Sequence, residues 1–348
     1  MKAARLVGVG GIGTGLFFAL DGAHDLGRNE SRMARRLDVR DYCKLHIVAH
    51  YPSVLLGARP AGAPFHVLPV GRVGQDAEGE RLVREMTAAG MDTRFVQQAA
   101  GEPTLLSVCF QYPDGSGGNI TTSDSAASGL RPTDVDPVAD FVDERTIVLA
   151  APEAPLAARR RLLELGRERG AFAVAAASSA ELRTADGREL LGLADLVALN
   201  QDEAGAFVGR PFVPGEVSSF FGSLLPAAGR LVVTAGSAGA FGWDGHETLH
   251  VPALHVPVAS TAGAGDAVLG GLVTGLAAGL PLFPASGRPL DERSVESALD
   301  LGVCLAAYAV ASPHTIPDDV GWARLRSFLA PLGVRFGPAL EGLTGVAA

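Results

Sequence analysis

Ser260-Thr261-Ala262-Gly263-Ala264-Gly265-Asp266 runs straight into the uncharged stretch Ala267-Val-Leu-Gly-Gly-Leu-Val-Thr-Gly-Leu-Ala-Ala-Gly-Leu280. Its small residues let the backbone turn sharply and approach a ligand closely. They stand where an extended, Pro-punctuated segment (251–258) passes into an apolar helix. A helix begun in this way aims unpaired N–H groups and a partial positive charge at whatever lies above it, and anions are favoured there. Asp266 falls in the first turn, beside that anion site. A carboxylate next to an anion hole suits a base that takes a proton from a hydroxyl while phosphate charge is held. The same Asp266 also fits a plain dipole partner, worth about 0.3–1 kcal/mol. Gly271, Gly275 and Gly279 have the spacing of packed membrane helices. The uncharged run from Ala267 stops at Pro281, short of the roughly 20 residues that a span needs.

Working outward, the 348 residues are 47% hydrophobic and 19% charged, with 44 glycines in no fixed period, as expected of a globular enzyme with a large core. A net charge of −9 argues against nucleic acid or an anionic membrane surface as the main partner. Cys43, Cys109 and Cys304 lie far apart, match no metal or redox spacing, and read as buried thiols. Lys2 and Arg5 followed by apolar residues to Leu20 imitate a secretion signal. Gly8, Gly10, Gly11, Gly13 and Gly15 make that segment too glycine-rich for one, and the expectation is a cytoplasmic chain.

Arg5 to Val9 reads as a buried strand that breaks into glycines. Gly8-Val-Gly10-Gly-Ile-Gly13 fits the dinucleotide fingerprint, with Glu30 at a plausible distance for a ribose, so a nicotinamide-dependent oxidoreductase is one alternative. His46 and His50 share a helical face but lack the third ligand of a zinc site. Arg28, Arg32 and Lys44 are candidates for an anionic substrate group. From Phe65 an apolar strand leads to Gly71-Arg-Val-Gly74-Gln-Asp76-Ala-Glu-Gly79 and an amphipathic helix to Ala89, closed by Gly90; Asp76 reads as scaffold. Thr104 to Tyr112 is β-prone. Beyond Pro132, strands at 146–150, 171–177, 196–200 and from 231 alternate with helices, which predicts right-handed βαβ units on a mainly parallel sheet. Asn200-Gln-Asp202-Glu203 fits two readings equally: a helix capping box, and hard oxygen ligands beside a Mg²⁺–phosphate group. Thr234-Ala-Gly236-Ser-Ala-Gly239 is a strand end and tight turn. The helix from Val295 to Ala311 carries Ala298, Gly302, Ala306 and Ala307 at close-packing spacing.

Thr261-x-Gly263-Ala264-Gly265-Asp266 with Gly271 resembles the C-terminal signature of the ribokinase-like (PfkB-type) carbohydrate and nucleoside kinases. The 71–79 block with its Gly90-Met-Asp92-Thr93 turn, the Asn200–Glu203 pair and the Thr234–Gly239 turn resemble further family motifs, in the family's order across roughly 65–320. The resemblance implies a single domain over 1–348: a doubly wound, mainly parallel sheet flanked by helices, with a small β-strand lid at about 14–45 and 95–125. It implies ATP-dependent phosphoryl transfer to the hydroxyl of a sugar, sugar derivative or nucleoside. Asp266 would be the base and the Gly263, Ala264 and Gly265 amides the anion hole. Thr234, Gly236 and Gly239 would meet the nucleotide, Asn200 and Glu203 would hold Mg²⁺ through water, and a homodimer through the lid is expected.

The chain also departs from the family's pattern. Ser260 replaces an Asp that helps some members bind a monovalent cation, which removes the basis for expecting such activation. Gly15 stands where the family has a sugar-binding Asp, residues 42–51 replace a Gly-Gly-x-x-x-Asn motif, and Ala177-Ser178-Ser179 replaces Asp-Pro-Asn. Arg28, Asn29, Lys44 and His46 are therefore the substrate candidates in the lid region. A non-catalytic nucleotide or sugar sensor is a second alternative, which the retained Asp266 opposes.

Overall fold

Residues Arg5–Val9 (β1) pair in parallel with His66–Gly74 (β4) on one side and Thr146–Ala150 (β8) on the other, and the sheet grows outward from that trio. Phe172–Ala175 (β9), Leu196–Asn200 (β10) and Arg230–Thr234 (β11) continue it in parallel beyond β8, and Val96–Ala99 (β5) beyond β4. Ala240–Trp243 (β12) and Thr248–Val251 (β13) close one edge antiparallel, giving nine strands in the order β13-β12-β11-β10-β9-β8-β1-β4-β5. The computed structural model describes residues 2–22, 24–113, 117–224, 229–285 and 288–344.

The apolar runs alternate between faces, so both must be covered by helices. Leu6, Ile147 and Leu149 join one core with Leu272 and Val273 of helix Ala264–Ala278. Val7, Val148 and Ala150 join the other with Leu162 and Leu163 of helix Leu156–Glu168. This is the doubly wound α/β arrangement expected. Helices Ala264–Ala278 and Ala298–Val310 touch backbone to backbone: a Cβ on Gly271 would fall 2.4 Å from Gly302 Cα, and one on Gly275 2.6 Å from Ala298 Cα. The fourfold glycine spacing serves the close approach of this helix pair. Among the described residues no helix is long and apolar enough to cross a membrane.

A separate sheet of four strands runs Ala34–Leu37 (β3), Gly13–Leu20 (β2), Leu105–Gln111 (β6) and Gly117–Thr121 (β7) in spatial order. It covers less than the 14–45 and 95–125 expected for a lid, because 96–99 forms the edge strand of the large sheet and 44–55 is helical. Asp76 is the scaffold element anticipated. It caps helix Ala77–Ala88 through Gly79 N and accepts from Thr104 N and Oγ1, tying that helix to the chain entering β6.

The dinucleotide reading of Gly8–Gly13 fails on topology. That fingerprint needs a helix to open after the strand, whereas here the chain continues into β2. The glycines are there for close packing: a Cβ on Gly8 would lie 2.6 Å from Leu45 Cδ1, and one on Gly10 2.7 Å from Ala151 Cβ. Because β4 and β8 flank β1 on opposite sides, the carboxyl ends of β1 and β8 open a crevice at the point where the winding reverses. Ligands of doubly wound sheets bind at such a point.

Candidate active site

Gly263 caps helix Ala264–Ala278 in the left-handed region (φ 78°), and a Cβ there would fall 2.8 Å from the Thr315 carbonyl oxygen. Glycine is demanded by both backbone and space. No side chain caps this helix, the Ala264 amide turns back to the Thr261 carbonyl at 3.3 Å, and Asp266 is the acidic residue of the first turn. Asp266 Oδ1 lies 3.7 Å from Lys44 Nζ, and the same ammonium lies 3.7 Å from Glu203 Oε1. Lys44 begins helix Lys44–Leu55, and its backbone N–H donates to Glu153 Oε2 at 3.0 Å. One lysine thus bridges carboxylates from two distant helices.

The electrostatics follow from that sharing. The Asp266 carboxylate beside it holds the Lys44 ammonium well above its usual range despite burial. Burial pushes Asp266 up, and Lys44 pulls it back toward the ionised form. Glu203 is governed the same way, with burial raising it and Lys44 opposing.

Asn200 ends β10 and caps helix Gln201–Val208: its Oδ1 accepts from the Asp202 and Glu203 amides at 2.9 and 2.8 Å, while Glu203 Oε2 accepts from Asn200 N at 2.8 Å. The capping box is therefore present. It leaves Glu203 Oε1 facing Lys44 and the cleft, so the donor set fits a cation held through its waters and not one stripped into a protein cage. Among the described residues no group of three His, Cys, Asp or Glu forms such a cage.

These residues line one cavity of about 700 Å³, within the common range of ligand pockets. Its polar end carries Lys44, Asn200, Glu203, Thr234, Gly236, Gly239 and the 263–266 loop. Its apolar end is walled by Leu254, Val256, Val303, Ala307 and Val310. Sequence reasoning left this end unassigned, although Val303, Ala307 and Val310 have the spacing of one helical stripe.

The remaining candidates are placed differently. Arg28 and Asn29 are exposed on the connection between β2 and β3, and neither lines the cleft. The Arg32 guanidinium pairs with Glu30 at 2.6 Å and donates to the carbonyls of His24 and Asp25, which fixes that loop. Lys44 is shared by two carboxylates. The joint anion site expected of Arg28, Arg32 and Lys44 is not assembled. His46 is 1% exposed and packs against Tyr42 at 4.4 Å between ring centroids; burial lowers its pKa, as it lowers that of His50 to about 4. Burial disfavours the charged form of both, His46 in the core and His50 half-buried beside it. Two carboxylates that sequence reasoning passed over, Asp41 and Glu153, lie instead at the crevice between β1 and β8: a Cβ on Gly15 would fall 2.0 Å from Asp41 Oδ2, and one on Gly11 2.9 Å from Glu153 Oε2.

An uncapped helix terminus with a Lys44-paired carboxylate beside it thus opens onto a cleft with a polar and an apolar end on an α/β sheet. Residues 57–320 match the pfkB family of carbohydrate kinases, and the chain belongs to that family. It is 24% identical over 251 residues to the deoxyribokinase of Salmonella typhi, covering 72% of this chain and 77% of the relative. In fold it is similar to Arabidopsis thaliana ribokinase complexed with ribose and ATP (TM-score 0.68, 18% identity, 99% of both chains). It is likewise similar to Burkholderia thailandensis nucleoside kinase complexed with inosine (TM-score 0.71, 17% identity, 95% of this chain and 99% of that one). The chain is a sugar kinase.

Proposed function

We propose that the protein moves the γ-phosphoryl of ATP to a hydroxyl of a small sugar, sugar derivative or nucleoside, with Asp266 as the general base. The observation that carries this reading is the placement of a buried, Lys44-paired carboxylate in the first turn of a helix whose terminus no side chain caps. The acceptor O–H gives its proton to Asp266 as the oxygen forms a bond to phosphorus. The bond from phosphorus to the β-phosphate oxygen breaks and ADP leaves with that electron pair. The amides of Gly263, Ala264 and Gly265 hold the oxygens of the moving group, where preorganised donors are worth more than in water. Thr234, Gly236 and Gly239 form the phosphate-side wall and the 303–310 stripe the base-side wall. Asn200 and Glu203 would hold Mg²⁺ through its waters; when bound, the ion neutralises phosphate charge. Lys44 opposes the rise that burial imposes on the Asp266 carboxyl and is the substrate-side candidate that the cleft retains.

The small sheet would act as a lid over this crevice. It exposes Met33 and Ile120, at 79% and 68%, and pairing of two copies through this sheet belongs to the same reading; sedimentation of a Met33→Glu, Ile120→Glu variant tests it, a lighter species than wild type being expected. The activity is tested by ADP release over D-ribose, 2-deoxy-D-ribose, other sugars, polyols and nucleosides with ATP and Mg²⁺. Acceptor-dependent ADP with a phosphorylated product is expected; ADP formation indifferent to every acceptor would contradict the reading.

A further inference from the structure

The antiparallel edge of the large sheet sets Phe241 of β12 directly opposite His250 of β13. Side chains opposed in this way on one face of a strand pair are close enough to touch. Here the two rings stack, with centroids 4.2 Å apart and planes 6° from parallel. Phe241 is buried and packs in turn against Phe212, so the imidazole rests on a fixed base. From that base it reaches the turn that follows β11, where His250 Nε2 lies 2.7 Å from the Ala238 carbonyl oxygen. A carbonyl only accepts, so Nε2 carries the hydrogen and donates it.

The turn that receives this bond is the Thr234–Gly239 wall of the cleft. Three backbone bonds close it: Ala235 N–H to the Gly239 carbonyl at 2.8 Å, and Ala238 N–H to Ala235 and Gly239 N–H to Gly236, each at 3.0 Å. None of the three uses the N–H of Gly236 or Ser237, and both residues line the cleft. Gly236 holds a left-handed backbone (φ 53°) with open space where a Cβ would stand, so packing does not fix the turn on that side. Gly239 is the opposite. At φ 91° a Cβ there would fall 2.2 Å from the Val251 carbonyl oxygen and 2.6 Å from Ala253 N, so this end of the turn is pressed against the end of β13. The chain then runs on from β13 into Ala253, Leu254 and Val256 at the apolar end of the cavity. One edge strand thus supports both ends of the cleft, and the His250 side chain is how it grips the polar one.

We propose that His250 is a positioning residue for the phosphoryl donor: by holding the Ala238 carbonyl it fixes the 236–239 turn at the spacing from the apolar wall that a nucleoside triphosphate requires. This rests on the kinase reading above and concerns the donor side of that same site. Asp266 and Lys44 come from other elements, helices Ala264–Ala278 and Lys44–Leu55. Loss of the His250 bond should therefore weaken donor binding and leave proton transfer from the acceptor as it is.

The test compares wild type, His250→Phe and His250→Gln, with ATP–Mg²⁺ as donor and the best acceptor from the ADP-release screen. Phe keeps a ring to stack on Phe241 and removes the donor, whereas Gln carries an amide N–H₂ at about the reach of Nε2 and restores it. His250→Phe should raise KM for ATP by about fivefold or more, the scale of one hydrogen bond's net worth. Its acceptor KM and kcat should stay within about twofold, and its melting temperature near wild type. His250→Gln should bring KM for ATP back to within about twofold of wild type. An unchanged ATP KM in a folded His250→Phe enzyme would overturn the proposal. So would a rise in acceptor KM as large as that in ATP KM, or a folded His250→Gln enzyme no better than His250→Phe. If His250→Phe does not fold, His250→Leu, which is smaller and also lacks the donor, is held to the same expectations. If no acceptor yields ADP, the kinase reading fails separately. Calorimetric titration with ATP–Mg²⁺ then still decides His250: a Kd weakened about fivefold in His250→Phe and restored in His250→Gln supports the role, and an unchanged Kd or no binding to wild type removes it.

Discussion

Replacing Lys44 by Met removes the one ammonium that the structure places between Asp266 and Glu203, each 3.7 Å away. Two unit charges at that separation attract by about 4–5 kcal/mol at an effective dielectric near 20, equivalent to about 3 pKa units. The Lys44 side chain is 30% exposed, so water screens a large part of this. The sign is fixed by the chemistry. Lys44 lowers the Asp266 pKa; without it burial acts unopposed and the carboxyl stays protonated to higher pH. A general base must be ionised, so the acid limb of kcat/KM should move to higher pH and activity on that limb should fall about tenfold. Lys44→Arg, which keeps the charge, should leave the limb within about 0.3 unit of wild type on the same scale. Melting curves add a second readout. Asp266 and Glu203 have folded-state pKa values raised above their unfolded ones, so their ionisation opposes folding once the pH exceeds the unfolded values. The Met variant should therefore lose more stability at pH 8 than at pH 5. A limb that stays in place in Lys44→Met, with only kcat reduced evenly at every pH, would refute the reasoning and leave Lys44 as a substrate contact alone.

Three further outcomes are expected. Glu203→Gln keeps an oxygen for the Asn200 N–H and so should keep its melting temperature, while the Mg²⁺ concentration needed for half-maximal rate rises several-fold; a change in stability alone, of about 1 kcal/mol, would reduce Glu203 to a cap. Gly271→Ala sets a methyl 2.4 Å from Gly302 Cα and should cost several kcal/mol or abolish soluble expression, whereas Ala at the open Gly342 should be silent in the same melting assay. Asp41→Asn should raise stability at pH 8: with a folded pKa of about 7 against an ordinary 3.8, ionised Asp41 opposes folding by up to about 4 kcal/mol. The gain should be about 1–3 kcal/mol at pH 8 and should vanish as the pH falls toward 4; a gain that does not depend on pH would separate Asp41 from this charge penalty.

Strands were legible wherever an apolar run had turn residues at both ends: Arg5–Val9, Thr146–Ala150 and Leu196–Asn200 fall where they were expected. Local chemistry was legible too, since the Gly263 turn, the Asn200 cap and the first-turn Asp266 are each written within a few consecutive residues. What escaped was long-range. Asp41 and Glu153 carry no motif, and their partnership depends on β1 and β8 being neighbours and on Gly15 and Gly11 making room. Arg28 and Arg32 pointed to an anion site because charge is visible in a sequence while exposure and internal pairing are not. The Gly8–Gly13 run misled because glycines that allow a helix to pack on a strand look the same as glycines that seat a pyrophosphate; only the element that follows tells them apart.

Asp266 as the base is tested most directly by one substitution. Asp266→Asn keeps the shape of the side chain and its place in the helix, so the variant should melt near wild type and bind ATP with unchanged affinity. Its kcat with the best acceptor should fall on the order of 10²–10⁴-fold, the usual contribution of a positioned base. Measuring kcat, ATP affinity and melting temperature on one preparation tests this in a single experiment. A turnover above about a tenth of wild type, with folding and ATP binding intact, would contradict the account.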